Sequence, residues 1–355
     1  MTLRATLLNN RTSIKIDTPC KVNLSLSVGE RREDGFHNVK SIFAAFTLCD
    51  TLKFETDFGA DGYNDDEILL DASELPRVLS DTLDPYRLPP EKNIVYRSIK
   101  LFKHESGFDK AVKVHIYKRI PPAAGLGGGS SDAAASLLAM NRLYGLCGFS
   151  GKLGGDQKPP ALEPQKLLRM AEQLGSDVPF FLELAGQRQP ENRFAAFVSG
   201  RGEHIEFAAA PYLNIVIVNP GIESGTKEAF ALLDKARYGA YGENEGGKTF
   251  LSEKTLSKSD LLAALQKNPA EWPFNNDFLT VFLKTPPQNE IYNAILQDLT
   301  GQGALFCGLS GSGSSCFGIF SSFDLAKSAA GRLSGRWPLA KAAHSFSAGS
   351  FLTLC

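Results

Sequence analysis

Residues 121–138 read PPAAGLGGGSSDAAASLL, with glycine at 125, 127, 128 and 129, serine at 130 and 131, and an acid at 132. Glycines at this density leave backbone N–H groups uncovered, and the alanine- and leucine-rich run behind them predicts a helix whose first N–H groups and dipole face the loop. Such an arrangement holds an anion, and phosphate is the natural guest. Ser130 or Ser131 can cap that helix, or offer a hydroxyl to a phosphate oxygen or to a metal ion bound to it. So many glycines cost backbone entropy on folding, which favours the phosphate reading over a flexible turn before a capped helix.

Two familiar phosphate loops do not fit. A Walker A loop ends in Gly-Lys-Ser/Thr, whereas Gly129 is followed by Ser130 with no lysine. The dinucleotide fingerprint would start at Gly125-Leu126-Gly127 but meets Ser130 at its last position, and Pro121 and Pro122 separate it from the preceding strand pattern.

Other stretches carry candidate chemistry. Asp177, in LGSDVPFFL, stands between Gly175 and Pro179 where a helix begins. A plain N-cap is its ordinary role there, and the same position favours the ionised carboxylate that a base requires. Lys21 and Asn23 share one face of the alternating CKVNLSLSV, opposite Cys20, Val22, Leu24, Leu26 and Val28. A strand lysine is commonly solvated. Asp34-Gly35 is a turn pair followed by Phe36 and His37, a flat aromatic and a hydrogen-bonding ring that serve either a ligand or packing. GLSGSGSSCFGIF, at 308–320, sets glycines between two strand patterns, as a hairpin does. It is not the G-x-S-x-G elbow, because Ser312 follows Gly311.

The elements that must hold these residues alternate in type. Strand patterns at 51–55 and 112–118 flank a helical pattern that starts near Asn93, and 57–91, rich in Asp and Pro, reads as a surface excursion. The helix after the glycine loop runs to about 143, and an insert at 148–163 leads to a second helix that stops at Gly175. A strand at 213–218 opens a second unit with helices at 226–235, 260–267 and 289–299, two strands around the 308–320 motif, a helix at 324–333 and a last strand near 344–351. The segment 237–258 is polar and glycine-rich, a loop. Helices mixed with hairpins in each half make the class α+β, with units at 1–205 and 206–355.

A chain of 355 residues suits two such units. Its 43% hydrophobic and 22% charged residues read as globular, and a net charge of −1 supplies no basic field for a nucleic acid or an anionic membrane. No apolar run is long enough to span a bilayer, and the first residues read as a short leader into a strand. Six scattered cysteines, Cys20, Cys49, Cys147, Cys307, Cys316 and Cys355, without C-x-x-C pairs or clustered histidines, fit reduced thiols in a cytoplasm. The partners expected are therefore small molecules.

The P-x-x-x-G-L-G-G-G-S-S-D-A-A pattern of 121–134 resembles the phosphate loop of the GHMP kinases, which bind ATP without a Walker lysine. TPCKVNLSLSV, REDGFHNVKSIF, LGSDVPFFL and GLSGSGSSCFGIF extend the resemblance over both units. They narrow it to the branch that phosphorylates the 2-hydroxyl of a cytidylated sugar alcohol for isoprenoid synthesis. The resemblance implies a ribosomal-S5-like N-terminal domain, a ferredoxin-like C-terminal domain and a cleft between them. It makes Asp177 the base and Lys21 its partner, with Asn23 holding the polar end of the substrate. It gives the loop from Pro121 through Pro122, Ala123, Ala124, Gly125, Leu126, Gly127, Gly128 and Gly129 to Ser130 and Ser131 to ATP, with Asn93 and Lys118 nearby. Ser131 becomes the candidate contact for Mg²⁺. Phe36 and Phe230 would sandwich the base, His37 would read its edge, Thr226 would add a polar contact, and Gly311, Ser312 and Gly313 would approach the phosphates. Ala123-Ala124 stands where the family often has glycine, and Phe36 where tyrosine is common. The alternatives are another small-molecule kinase of this superfamily, or a nucleotide-sensing or RNA-binding module on the same fold. Lys21 and Asp177 speak against a catalytically dead chain, and the charge balance against RNA.

Overall fold

The computed structural model describes residues 4–8, 11–57, 63, 65–81, 90–146, 161–187, 194–238 and 256–347. Its first sheet is built on two long strands. β1 (Arg4–Leu8) pairs with β2 (Arg11–Arg31), and β2 runs antiparallel to β3 (His37–Asp57), with irregularities at Pro19/Cys20, Asn23/Ser25 and Val28/Arg31. The sequence signals only the second half of β3, because Ile42, Phe43, Ala44, Ala45 and Phe46 are buried on both faces and show no alternation. β4 (Glu67–Asp71) lies parallel to β5 (Lys113–Tyr117), so the expected excursion at 57–91 carries an edge strand, followed by the short helix α1 (Arg77–Ser80). β3 also pairs with β5 through 51–55 and with β6 (Phe194–Gly200) through 39–44. β7 (His204–Ala209) completes a hairpin with β6, so this sheet continues past the boundary expected at 205.

Helices α2 (Ile94–Ser106), α3 (Gly128–Leu146), α4 (Pro164–Leu174) and α5 (Val178–Gly186) pack on one face of the sheet through Ile99, Phe102, Ala134, Leu137, Leu174 and Phe180. The second sheet consists of β8 (Asn214–Asn219), β9 (Phe306–Leu309), β10 (Cys316–Phe320) and β11 (Leu339–His344), in the antiparallel order β11-β8-β10-β9. Helices α6 (Thr226–Tyr238), α7 (Lys258–Leu265), α8 (Asp277–Phe282) and α9 (Gln288–Gly301) follow β8, and α10 (Phe323–Leu333) joins β10 to β11. Counted along the chain, the strand order is fourth, first, third, second, the ferredoxin-like arrangement.

β11 ends where the last strand was expected to begin, and 348–351 lie outside the described residues. So do most of the inserts at 148–163 and 237–258. β2 bears out the assigned core face: Cys20, Val22 and Leu24 pack with Ile215, Ile217 and Phe317 of the second sheet. At roughly 1.5–3 kcal/mol for each large apolar side chain buried, these residues tie the halves together as a core. The opposite face of β2 is not solvated, and Lys21, Asn23 and Ser25 are buried beneath the glycine loop and its neighbours. Among the described residues no helix is long and apolar enough to cross a membrane.

Candidate active site

The glycine loop reaches α3 through three left-handed residues, Ala123 (φ 48°), Gly125 (φ 75°) and Gly127 (φ 68°). Glycine is required at two of them. A Cβ on Gly125 would sit 2.0 Å from the Ser310 carbonyl oxygen, and one on Gly127 would sit 2.9 Å from Lys21 Cγ. Ala123 is the one described non-glycine residue with positive φ, and it is exposed. The left-handed form costs an alanine about 1–2 kcal/mol, partly offset by the greater unfolded-chain entropy of glycine. Ala123→Gly is therefore expected to raise stability by about 0.5–1 kcal/mol, measured as a shift of the urea midpoint at constant m.

The third glycine motif is a hairpin, one of the two roles expected of it. Residues 310–315 connect β9 to β10 as a hairpin, and they dock on the glycine loop. Ser310 Oγ accepts from the Asn23 N–H (3.2 Å) and donates to the Gly125 carbonyl (2.8 Å), while the Ser315 N–H donates to the Ala124 carbonyl (3.1 Å). Asn276, the N-cap of α8, supports the hairpin from behind, its amide donating to the Leu309 and Gly311 carbonyls. Thr226 Oγ1 lies 3.3 Å from Ser312 Oγ at the start of α6. A Cβ on Gly313 would lie 3.3 Å from Ser224 Oγ, so the hairpin tip also meets the loop before α6.

Lys21 and Asp177 meet beside this loop, Nζ to Oδ2 at 3.2 Å. The Lys21 ammonium also donates to Asn23 Oδ1 (2.7 Å) and sits 4.5 Å from the centre of the Phe43 ring, and its backbone N–H donates to the Leu126 carbonyl. Asn23 Nδ2 donates to Ser41 Oγ (2.9 Å), which fixes the amide so that its oxygen faces the lysine. Asp177 occupies the N-cap position of α5, yet its side chain makes no capping hydrogen bond. Its carboxylate is turned to Lys21 instead, with a quarter of the side chain open to solvent. A buried cation against a reachable carboxylate next to an anion loop is an arrangement for moving a proton beside a phosphate.

At the helix start, Gly129 is exposed and Ser130 half-buried, while Ser131 Oγ is buried with no hydrogen-bond partner. Leu126 packs its side chain into the core, so its backbone alone belongs to the loop, and Pro121 and Pro122 lead into the turn. Asn93 caps α2 by accepting from the Val95 N–H (2.9 Å). Gly129 faces Ile94 of the same helix.

Lys118 does not face the cleft. Its ammonium is buried behind the loop, bonded to Asp50 and to Asp132 Oδ2 (2.8 Å). Asp50 also accepts from the Arg119 and Ile120 N–H groups at the start of the loop, and Asp132 Oδ1 accepts from Thr18 Oγ1 at its end. The cluster thus ties together the two chain segments between which the loop is hung. Burial opposes the Lys118 charge, but Asp132 and Asp50 together hold its pKa above the ordinary lysine value. Burial, with Asp50 adding to it, pushes Asp132 up to about 6 against the pull of Lys118 and Thr18. Neither acid was singled out from the sequence, because Asp50 ends an apolar run and Asp132 reads as a first-turn helix acid.

The residues expected around a base are brought together only in part. Phe36 is exposed, and the Arg201 guanidinium lies 3.9 Å from its ring centre. Phe230 stacks on His37 (5.0 Å between centroids, 24° between planes) and meets Phe278 edge-on, so in this structure it faces the histidine. His37 is buried, with Nδ1 3.0 Å from the Gly29 carbonyl and Nε2 3.3 Å from Asp234 Oδ1. Both ring nitrogens are thus engaged by the protein, and Asp234 joins the site with no sequence signal beyond standing one helical turn after Phe230.

Comparison with known proteins matches this arrangement. The GHMP kinases N terminal domain model matches residues 93–183, and the GHMP kinases C terminal model matches 261–339. The 4-diphosphocytidyl-2-C-methyl-D-erythritol kinase of Treponema pallidum (strain Nichols) is 32% identical over 329 residues, covering 92% of this chain and 96% of the relative. That of Caldanaerobacter subterraneus subsp. tengcongensis is 29% identical over 326 residues, covering 92% of this chain and 94% of the relative. A crystal structure of 4-(cytidine 5'-diphospho)-2C-methyl-D-erythritol kinase superposes with a TM-score of 0.68 at 28% identity, covering 94% of this chain and all of that one. Homoserine kinase from Cytophaga hutchinsonii, at 18% identity and a TM-score of 0.54, shares the fold. By fold, by loop and by these relatives, the chain belongs to the GHMP kinases, in the family of the 4-diphosphocytidyl-2-C-methyl-D-erythritol kinases.

Proposed function

We propose that this kinase transfers the γ-phosphoryl group of ATP to the 2-hydroxyl of 4-diphosphocytidyl-2-C-methyl-D-erythritol, with Asp177 as the base. One observation carries the residue assignment: Asp177 stands where an aspartate ordinarily caps a helix, yet it forgoes the cap to face Lys21. The loop's free N–H groups and the start of α3 hold the triphosphate. Asp177 takes the proton of the substrate hydroxyl as that oxygen bonds the γ-phosphorus. The bond from phosphorus to the β–γ bridging oxygen breaks, and ADP leaves with the electron pair. Lys21, held by Asn23, keeps positive charge beside the oxygen from which the proton departs. The unpartnered Ser131 hydroxyl at the helix start fits a contact to Mg²⁺, which when bound with ATP neutralises triphosphate charge. The exposed ring of Phe36 supplies a flat face for the cytosine, whereas Phe230 is stacked on His37. The need for ATP and the free Cys20, Cys49, Cys307 and Cys316 fit an enzyme of the cytoplasm.

Coupled ADP release measured with the cytidylated substrate, homoserine and mevalonate in parallel tests the assignment. Turnover with the first alone is the expected outcome, and turnover with either of the others in its place would move the chain to another branch of the superfamily.

A further inference from the structure

We propose that Asn276 is a positioning residue for phosphoryl transfer: its amide sets the 310–315 hairpin against the glycine loop and so fixes where ATP lies relative to Lys21 and Asp177. The inference rests on the proposed function. Asn276 is the N-cap of α8, its Oδ1 accepting from the Phe278 N–H (2.9 Å) and the Leu279 N–H (3.3 Å). With the oxygen held by the helix, the amino end of the amide is aimed away from it, and both of its hydrogens are used. Nδ2 donates to the Leu309 carbonyl (2.8 Å) and to the Gly311 carbonyl (2.9 Å). The side chain is buried, which makes these bonds costly to lose.

A cap needs only an acceptor, and serine or aspartate serves about as well as asparagine. Of these three, asparagine alone adds an amino group, and here that group goes to the hairpin. The hairpin in turn meets the site through its backbone. A Cβ on Gly311 would lie 3.3 Å from Gly125 Cα and 3.5 Å from Asn23 Oδ1, the oxygen that accepts from Lys21. The neighbours of Asn276 grip the strand that carries Lys21: the Asn275 carbonyl accepts from the Leu26 N–H (2.8 Å), and Asp277 Oδ2 accepts from the Val28 N–H (2.8 Å). The segment 275–277 therefore holds both β2 and the hairpin that closes on the glycine loop. A misplacement of about 1 Å between reacting groups can cost about 100-fold in rate, so bonds made outside the site can set its speed.

The test measures kcat, the KM values for ATP and the cytidylated substrate, and the urea midpoint, for the wild type and for Asn276→Ser, Asn276→Asp and Asn276→Ala. The first two substitutions keep the cap and remove the amino group, and the second also sets an acceptor against two carbonyls. In Asn276→Ser, kcat should fall about tenfold or more while both KM values stay within about threefold and the midpoint stays above that of Asn276→Ala. Asn276→Asp should be slower still. A role as cap alone would leave Asn276→Ser and Asn276→Asp as active as the wild type and impair only Asn276→Ala, and that result would overturn the inference. Should Asn276→Asp fail to fold, Asn276→Ser decides; if Asn276→Ser is itself too unstable to assay, the amide is a bond of the fold rather than of the site, and the inference is overturned. A wild type without substrate-dependent ADP release would remove the proposed function as well.

Discussion

Asp177→Asn should lower kcat by about 10²- to 10⁴-fold and leave the affinities for ATP and for the cytidylated substrate close to those of the wild type. The amide has the size of the carboxylate and still offers Lys21 an oxygen acceptor, so the pair can persist as a hydrogen bond. It cannot take the hydroxyl proton. The fold should not respond, because the native side chain makes no capping bond to α5 that the substitution could remove. A kinetic split discriminates between roles. Equal losses in kcat and kcat/KM mark an interaction made only in the transition state, whereas a raised KM at unchanged kcat would mark Asp177 as a binding residue.

Lys118→Met should destabilise the protein by about 3–5 kcal/mol. The substitution removes the ammonium between Asp50 and Asp132 and leaves two buried carboxyl groups facing each other. Because these acids hold the start and the end of the glycine loop, the melting midpoint should fall even in protein that is otherwise folded, and saturating ATP should restore part of the loss by binding only the native form.

The same cluster predicts a pH dependence. Asp132 takes up its proton at about 6 when folded, against 3.8 for an ordinary aspartate. Its protonated form therefore favours the folded state, a contribution complete below 3.8 and lost as pH rises through about 6. Relative to Asp132→Asn, the wild type should lose stability across that window. A parallel pH profile for the two proteins would show that Asp132 ionises alike in the folded and unfolded chain.

The sequence showed the chemistry more clearly than the scaffold. The glycine loop was legible because its glycines are too dense for a turn, whereas Lys21, Asn23 and Asp177 were singled out by the resemblance, since a strand lysine is commonly solvated and an acid at a helix start is commonly a cap. β6, β7 and the first half of β3 were not legible, because strands buried on both faces or lying at a sheet edge lose the alternation that marks a strand. α8 is too short for a helical period to show. Lys118 shows the limit of judging residues one at a time. The resemblance put it near ATP, but only the fold reveals Asp50, 68 positions away, already holding it. Asp234 was silent for the same reason, since nothing in a helical acid tells that a histidine from another element will face it.

The central claim is that the loop's guest is ATP and that its terminal phosphoryl group passes to the cytidylated substrate. It is tested most directly by following γ-labelled ATP with that substrate and the wild-type protein. Label transferred into the cytidylated product, one equivalent for each ADP formed, is the result predicted. Label released only as inorganic phosphate, at a rate indifferent to the substrate, would contradict it.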